Sequence, residues 1–493
     1  MNKITTAQKT LEYYVVLSGE STPPVPTPTQ VTIDGNFEIE QSGSTYTMSF
    51  GIQNFDWSSL ESGWTGIVVY GQNTLTFDSS NLNNNTINIS VGESQIDLTA
   101  TTATMEITSG TDEYEGTSNV EVVFVDYMFI ENTYPGQNTV TLNSNKSGNP
   151  SSTYYSSSVE YSKDRINWTT ITFDTSTPYN ITMNSGEKVY FRNDSSKWNY
   201  FANNYSSFTT SFKTSQNCGA GGDLRSLLKY SDIENVGLTQ GCYASLFAGS
   251  SGLTTVPSNF LPFTTLAPYC YKGMFEQCNS LTTSPALPAT TLEKGCYQSM
   301  FRVCTSLTNT PTLPATTISD FCYYEMFYEC SSLTTIPSLP ATTLGSYCYY
   351  GMFGKTSITS IPNNYLQATT LVSYCYSYMF KECSSLVTVP SNLLPATTLE
   401  NGCYSGMFYR CSSITKAPEL PATTLVSYCY MYMFENCTSL NEVTTYADDI
   451  SANNCTISWL SGVANSGTFH NHGSATYTSG ADGIPAGWTV VTQ

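Results

Sequence analysis

One phrase of residues, written eight times over, limits what this chain can be. From 242 to 437 the sequence repeats Cys-Tyr-x-x-Met-Phe-x-x-Cys-x-Ser-Leu-Thr with small variations, then a proline, then Leu-Pro-Ala-Thr-Thr-Leu, and begins again. The leading cysteines are Cys242, Cys270, Cys296, Cys322, Cys348, Cys375, Cys403 and Cys429, spaced 28, 26, 26, 26, 27, 28 and 26 residues apart. A unit this short cannot bury its own apolar face, so neighbouring units must bury it for one another. The repeat predicts a solenoid, which offers a surface for binding more readily than a site for chemistry.

The copy beginning at Cys322 shows how one coil should work. Met326, Phe327, Cys330, Leu333, Ile336, Leu339 and Leu344 can all point inward if the coil is a flattened loop. The run 333–340 reads as a short strand that stacks into a parallel sheet with its neighbours. Cys-Tyr-x-x-Met-Phe has a three-to-four spacing and predicts a turn of α- or 3₁₀-helix on the other side. Sixteen cysteines would suggest disulfides in a small secreted domain, but fifteen of them sit in or beside the repeats at locked positions. Periodic placement favours buried thiols stacked as small apolar side chains. Some disulfides are the alternative, and Cys-x7-Cys is not a zinc spacing.

Comparison of the copies separates framework from display. The pairs after Cys-Tyr differ freely: Lys272-Gly273, Gln298-Ser299, Tyr324-Glu325, Ser377-Tyr378, Met431-Tyr432. So do the pairs after Met-Phe, such as Arg302-Val303, Tyr328-Glu329, Lys381-Glu382 and Tyr409-Arg410. A tolerant, solvent-facing surface explains this plainly. The functional reading makes a ligand-contacting face from these pairs together with Tyr243, Tyr271, Tyr297, Tyr323, Tyr349, Tyr376, Tyr404 and Tyr430, since phenol rings stack on sugars and donate a hydroxyl. In the plain alternative, each of these rings packs on the next.

Ahead of the repeats, 1–20 reads as an anchoring arm and 21–29, with four prolines, as a semi-rigid linker. Short alternating runs fill 30–127: Ile33, Phe37 and Ile39, Tyr46 to Phe50, Ile67 to Tyr70, Ile87 and Ile89, Met105 and Ile107, Val120 to Val125. Their spacing and the turn residues between them predict an immunoglobulin-like β-sandwich. A second small β module is expected over 128–214, with a hairpin around Val159 and Trp168 and a tight turn at Asn184-Ser-Gly-Glu. Segment 215–455 is the solenoid, with Leu224, Leu227 and Leu228 placed to cover its first coil, and 456–493 is a cap around Trp459 and Trp488. The expected fold class is thus mainly β: two sandwich modules, then a leucine-rich solenoid with a parallel β-sheet and short helical turns.

Chemistry has little to work with. The formal charge is −20, from 18 Lys plus Arg against 38 Asp plus Glu, so nucleic acid is not an expected partner. No span of 18 apolar residues predicts membrane insertion, and no secretory signal is visible at the start. His470 and His472 could share one face of a strand and ligate a metal in an oligomer, but no cysteine or carboxylate cluster accompanies them. No phosphate loop, nucleophile elbow or zinc-protease motif occurs, and nothing marks a pair of carboxylates for glycoside cleavage. No catalytic residue, cofactor or metal is expected.

The stretch from Phe327 to Pro340 resembles the BspA-like (Treponema-type) leucine-rich repeat, whose pattern has Ala-Phe-x-x-Cys-x-x-Leu followed by Ile and Leu-Pro. The likeness covers about 240 residues in eight copies, though this chain uses Cys-Tyr-x-x-Met-Phe and longer coils. The Leu-Pro-Ala-Thr-Thr-Leu variant, with the module around 159–192 and Gly483-Ile-Pro-Ala-Gly-Trp near the end, also resembles fibre and decoration proteins of Bacteroidetes phages, crAss-like ones among them. The resemblance implies a non-enzymatic virion display protein, bound to other virion proteins through its arm and to a host surface protein or glycan through its repeats, as a dimer or trimer. A bacterial surface or secreted adhesin is the alternative it implies.

Overall fold

A computed structural model describes residues 32–492 apart from short stretches, the longest being 96–101, 148–156, 194–199 and 230–235. The expected arm at 1–20 and linker at 21–29 lie outside the described residues. The chain is mainly β, with almost no helix. It divides into two compact units, one formed mostly by the segment up to Tyr127 and the other by most of the chain from Met128 onward.

The first unit holds β1 (Thr32–Ser42), β2 (Thr45–Gln53), β3 (Thr65–Tyr70), β4 (Asn73–Asp78), β5 (Leu82–Asn83), β6 (Thr86–Val91), β7 (Thr102–Ser109) and β8 (Asp112–Val123). Their hydrogen-bonded order is β4-β3-β7-β8-β1-β2-β6-β5. All neighbours are antiparallel except β1 and β8, which pair in parallel. The alternation read from the sequence is realised: Met48, Phe50, Val68, Tyr70, Ile87, Ile89, Met105 and Ile107 are all buried. They surround an aromatic cluster in which Phe50 lies 4.8 Å from Phe37 and 5.5 Å from Phe77. Strand β4, not foreseen from the sequence, supplies Leu75 and Phe77 to this core.

The second unit begins with β9 (Met128–Asn132), β10 (Asn138–Ser147), β11 (Ser157–Ser162), β12 (Thr169–Phe173), β13 (Tyr179–Met183), β14 (Lys188–Arg192), β15 (Tyr200–Asn203), β16 (Ser206–Lys213) and β17 (Cys218–Gly221). Strands β11 and β12 form the expected hairpin. The turn at Asn184 is also present, with Gly186 left-handed at φ 76° and the Glu187 amide donating to the Asn184 carbonyl. It joins strands of two different sheets, because β13 pairs with β10 while β14 pairs with β11 and β9. Strand β17 then pairs in parallel with β18 (Leu253–Thr255), inside the first repeat. A single hydrophobic core therefore runs from Met128 through the repeats to Trp488.

The repeats themselves differ from expectation in local structure. No strand occurs between β18 and β19 (Glu442–Thr445); successive copies meet there through isolated parallel bridges, as from Thr265 to Thr291, Thr317 and Thr343. The run 333–340 is not a strand, and Pro337 and Pro340 explain it, since neither has an N–H to give a ladder. The Cys-Tyr-x-x-Met-Phe segment is not helical either. The amides of Tyr323, Glu325, Phe327 and Glu329 donate to carbonyls of the next copy, at Cys348, Tyr350, Met352 and Gly354, over 2.7–2.9 Å. The alternate amides of Tyr324, Met326, Tyr328 and Cys330 donate three residues back in their own copy, over 3.1–3.3 Å. Every fourth residue, Phe321, Glu325 and Glu329, is left-handed at φ 59°, 48° and 60°. The segment is thus a chain of four-residue turns, stitched sideways to the next chain of turns.

At the far end, β19, β20 (Gly467–Asn471) and β21 (Trp488–Thr492) make a small parallel sheet. Trp459 continues the stack of rings beyond Tyr430, at 6.3 Å, and is followed by Tyr477 at 5.7 Å. The Trp459 indole donates to the Gly483 carbonyl and the Trp488 indole to the Ala464 carbonyl. At the near end the Tyr243 hydroxyl donates to the Leu224 carbonyl over 2.9 Å, and Leu224, Leu227 and Leu228 are buried in the shared core.

Candidate binding surface

The four-residue turn sets two residues inward and two outward in alternation. In the copy at 322, Cys322, Tyr323, Met326, Phe327 and Cys330 are buried, while Tyr324, Glu325, Tyr328 and Glu329 are half-buried on the outside. This rhythm corrects the proposed ligand-contact face. Tyr271, Tyr297, Tyr323, Tyr349, Tyr376, Tyr404 and Tyr430 are each at most 2% exposed. Their rings stack along the core at centroid distances of 5.5–6.3 Å. A ring enclosed in this way cannot touch a ligand, so these tyrosines are framework. A second ladder of phenylalanines, from Phe247 to Phe434, runs beside them at 5.5–5.8 Å with rings within 13° of parallel.

The cysteines are framework too. All sixteen are buried and free. The second thiol of a copy reaches back to the phenylalanine carbonyl of the preceding one: Cys304 to Phe275, Cys330 to Phe301, Cys411 to Phe380 and Cys437 to Phe408, over 2.9–3.0 Å. Two copies lack this cysteine: Ser250 takes its place after Cys242 and Thr356 after Cys348, and Thr356 donates instead to the Phe353 carbonyl of its own copy. Burial pushes these thiols well up from their ordinary value of 9.0, Cys218 and Cys383 to about 11 and Cys242, Cys330, Cys375 and Cys429 to about 12. Protonated thiols of this kind do not act as nucleophiles at neutral pH.

Facing outward is a different set of aromatic residues. Phe321, Tyr347 and Tyr374, each just ahead of a leading cysteine, stack at 5.1 and 4.8 Å. Beside them Tyr324 stacks on Tyr350 at 4.8 Å, Tyr350 meets Tyr378 at 5.4 Å, and Tyr378 meets Tyr409 at 6.3 Å. Contacts of 6.0 Å from Phe321 to Tyr324 and from Tyr347 to Tyr350 join the two rows. Seven half-buried rings thus form one continuous surface over four copies. Partial burial raises the Tyr324 phenol to about 12, with Glu325 adding to the effect, so it remains a hydrogen-bond donor at any physiological pH.

Most charges of this face are paired within it, and Arg410 rests on a ring. Arg302 bridges Glu276 at 2.9 Å and Glu325 at 3.2 Å, and Lys355 pairs with Glu329. Lys381 lies 3.4 Å from Glu382 and within 6 Å of the Tyr378 and Tyr409 rings, while Arg410 covers Tyr409 at 5.0 Å. Many of these residues belong to the variable pairs that the sequence singles out. The row Phe321, Tyr347 and Tyr374 does not, although aromatic residues recurring just before the cysteine are there to be seen.

His470 lies 4.0 Å from Glu442, and His472 is edge-on to Tyr446. Among the described residues no cluster of three or more His, Cys, Asp or Glu is placed to hold a metal ion, and no helix is long and apolar enough to cross a membrane. No protein-family model, curated protein or solved structure matches this chain.

Proposed function

We propose that this is a non-enzymatic display protein, in which a leucine-rich solenoid of the BspA-like kind holds out its turn face to the host cell surface or its glycans. In this reading 30–127 is an immunoglobulin-like sandwich, 128–214 a second β module, and the arm at 1–20 the attachment to other virion proteins of a phage particle. The observation that carries it is the contrast between the two sides of the turn. Inside, Tyr and Phe recur copy after copy; outside, the same four positions carry a different set in each copy. Identical walls with individual faces suit a scaffold whose differences are read from outside.

Mass spectrometry of purified phage particles tests this directly. Peptides of the chain in stoichiometric amount beside portal and capsid proteins are expected. Their absence, together with an in-frame secretion signal upstream in the gene, would transfer the same face to the alternative reading, a bacterial surface adhesin.

A further inference from the structure

The seven outward rings have a chemistry that selects a ligand class. We infer that they bind an uncharged polysaccharide lying along the row Tyr324, Tyr350, Tyr378 and Tyr409; this rests on the display reading and specifies its face. Charge argues first. Each cation flanking the row is already engaged by a carboxylate or a ring: Arg302 by Glu276 and Glu325, Lys355 by Glu329, Lys381 by Glu382 and two phenols, Arg410 by Tyr409. A phosphate, uronate or sialate would have to break those pairs on a chain already at −20, so an anionic polymer is disfavoured.

The ring surface argues second. A protein partner normally anchors a large apolar side chain in a desolvated pocket or meets one in return. The exposed large apolar residues among those described are Val69, Val387, Val490 and Val491, and none belongs to this row. The row offers ring edges and phenol hydroxyls beside the Glu325 and Glu382 carboxylates. A pyranose presents the complement in its hydroxyls, which can bond to phenol and carboxylate, while the faces of Tyr324 and Tyr350 are taken up by each other. Period argues third. The rings of Tyr324, Tyr350, Tyr378 and Tyr409 follow one another at 4.8, 5.4 and 6.3 Å, spacings comparable with the advance of a sugar chain by one residue, so a polymer running along the row meets a phenol at each step.

The test uses the full chain on a glycan microarray of neutral and acidic polysaccharides, with the retained polymer then carried into affinity electrophoresis. The variant is Tyr350→Gln with Tyr378→Ser. Gln298 and Ser299 occupy these same two positions in another copy, so the framework accepts them. Circular dichroism checks its fold. We expect retention by neutral polymers that persists at ~1 M salt, where the screening length is ~3 Å, and falls at least about tenfold in the variant, as loss of two anchoring rings should produce. Retention by acidic polymers alone, neutral binding that the folded variant keeps, or no neutral binding on the array would each overturn the inference. Particle mass spectrometry is independent of all three, so the display reading can stand while this one falls.

Discussion

The phenol ring of Tyr378 fills the space that a β-carbon on Gly406, one copy further on, would need. The same relation links Tyr269 to Gly295, Tyr374 to Gly402 and Tyr328 to Gly354. An outward aromatic leans over the next copy, and that copy answers with a glycine or with another ring to stack on. The outer positions are therefore matched in pairs along the stack, and their variation from copy to copy is not independent. We expect Gly406→Ala to cost about 2–4 kcal/mol, from overpacking and the left-handed backbone together. In a Tyr378→Ser background the overpacking disappears and about 1 kcal/mol should remain. Urea unfolding of the four proteins in a double-mutant cycle measures the difference; additive effects would show that the ring and the glycine do not compete for one space.

The repeat, its inward Met, Phe, Cys and Leu, and the strands of the first unit were legible because burial leaves a periodic trace. The turn chain was not. Its inward pairs recur every four residues, close enough to the helical 3.6 to be read as a helix. Its left-handed residues include Phe321, Glu325 and Glu329, which as single residues give no hint of that backbone. A hint did exist across copies, since Gly295, Gly351 and Gly249 occupy the three equivalent positions elsewhere, and glycine recurring at fixed places marks positive φ. The tyrosine ladder misled for another reason. A hydroxyl suggests a wet surface, but here the geometry of the turn, two in and two out, decides which residues are enclosed.

The first ring of that ladder and an interior one should respond differently to loss of a hydroxyl. The Tyr243 hydroxyl has a carbonyl partner at Leu224, whereas those of Tyr271, Tyr297, Tyr404 and Tyr430 are buried with no partner among the described residues. Tyr243→Phe removes a buried hydrogen bond, although the Leu224 carbonyl keeps the Leu227 amide as a donor, a loss of about 1 kcal/mol. Tyr297→Phe removes only an unsatisfied group and should leave stability equal to or above the parent. Thermal midpoints of the two variants compare them, and a Tyr297→Phe protein that melts below Tyr243→Phe contradicts the assignment.

Phe327 tests the enclosed side. It is fully buried, with Phe301 at 5.6 Å on one face and Phe353 at 5.8 Å on the other. Both neighbours are held by their own copies and cannot collapse into the gap, so Phe327→Ala should cost about 3–5 kcal/mol. Urea denaturation supplies the value. A loss under about 1 kcal/mol would mean that the ring is not part of the core.

Alkali should be the solvent condition this fold tolerates least. Burial is the chief cause that raises Cys218 and Cys383 to about 11 and Cys242, Cys330, Cys375 and Cys429 to about 12, against an ordinary 9.0 in the unfolded chain. Below pH 9 both states keep these protons and nothing is lost. Above it the unfolded chain ionises while the folded one does not, so unfolding releases protons and each unit of pH favours it further. At pH 10 each thiol contributes about 1.4 kcal/mol to that drive, and these six together about 8 kcal/mol, comparable with the whole stability of an ordinary domain. The second unit should therefore unfold between about pH 9 and pH 11, seen by circular dichroism and by the simultaneous appearance of thiols reactive to a disulfide reagent. Replacing Cys330 with threonine, the residue that already serves at 356, removes one of the titrating groups and should move the midpoint upward. A midpoint that stays put, or thiols that react before the fold is lost, would show that the ladder is open to solvent and that the stack of enclosed sulfurs is not what holds the copies in register.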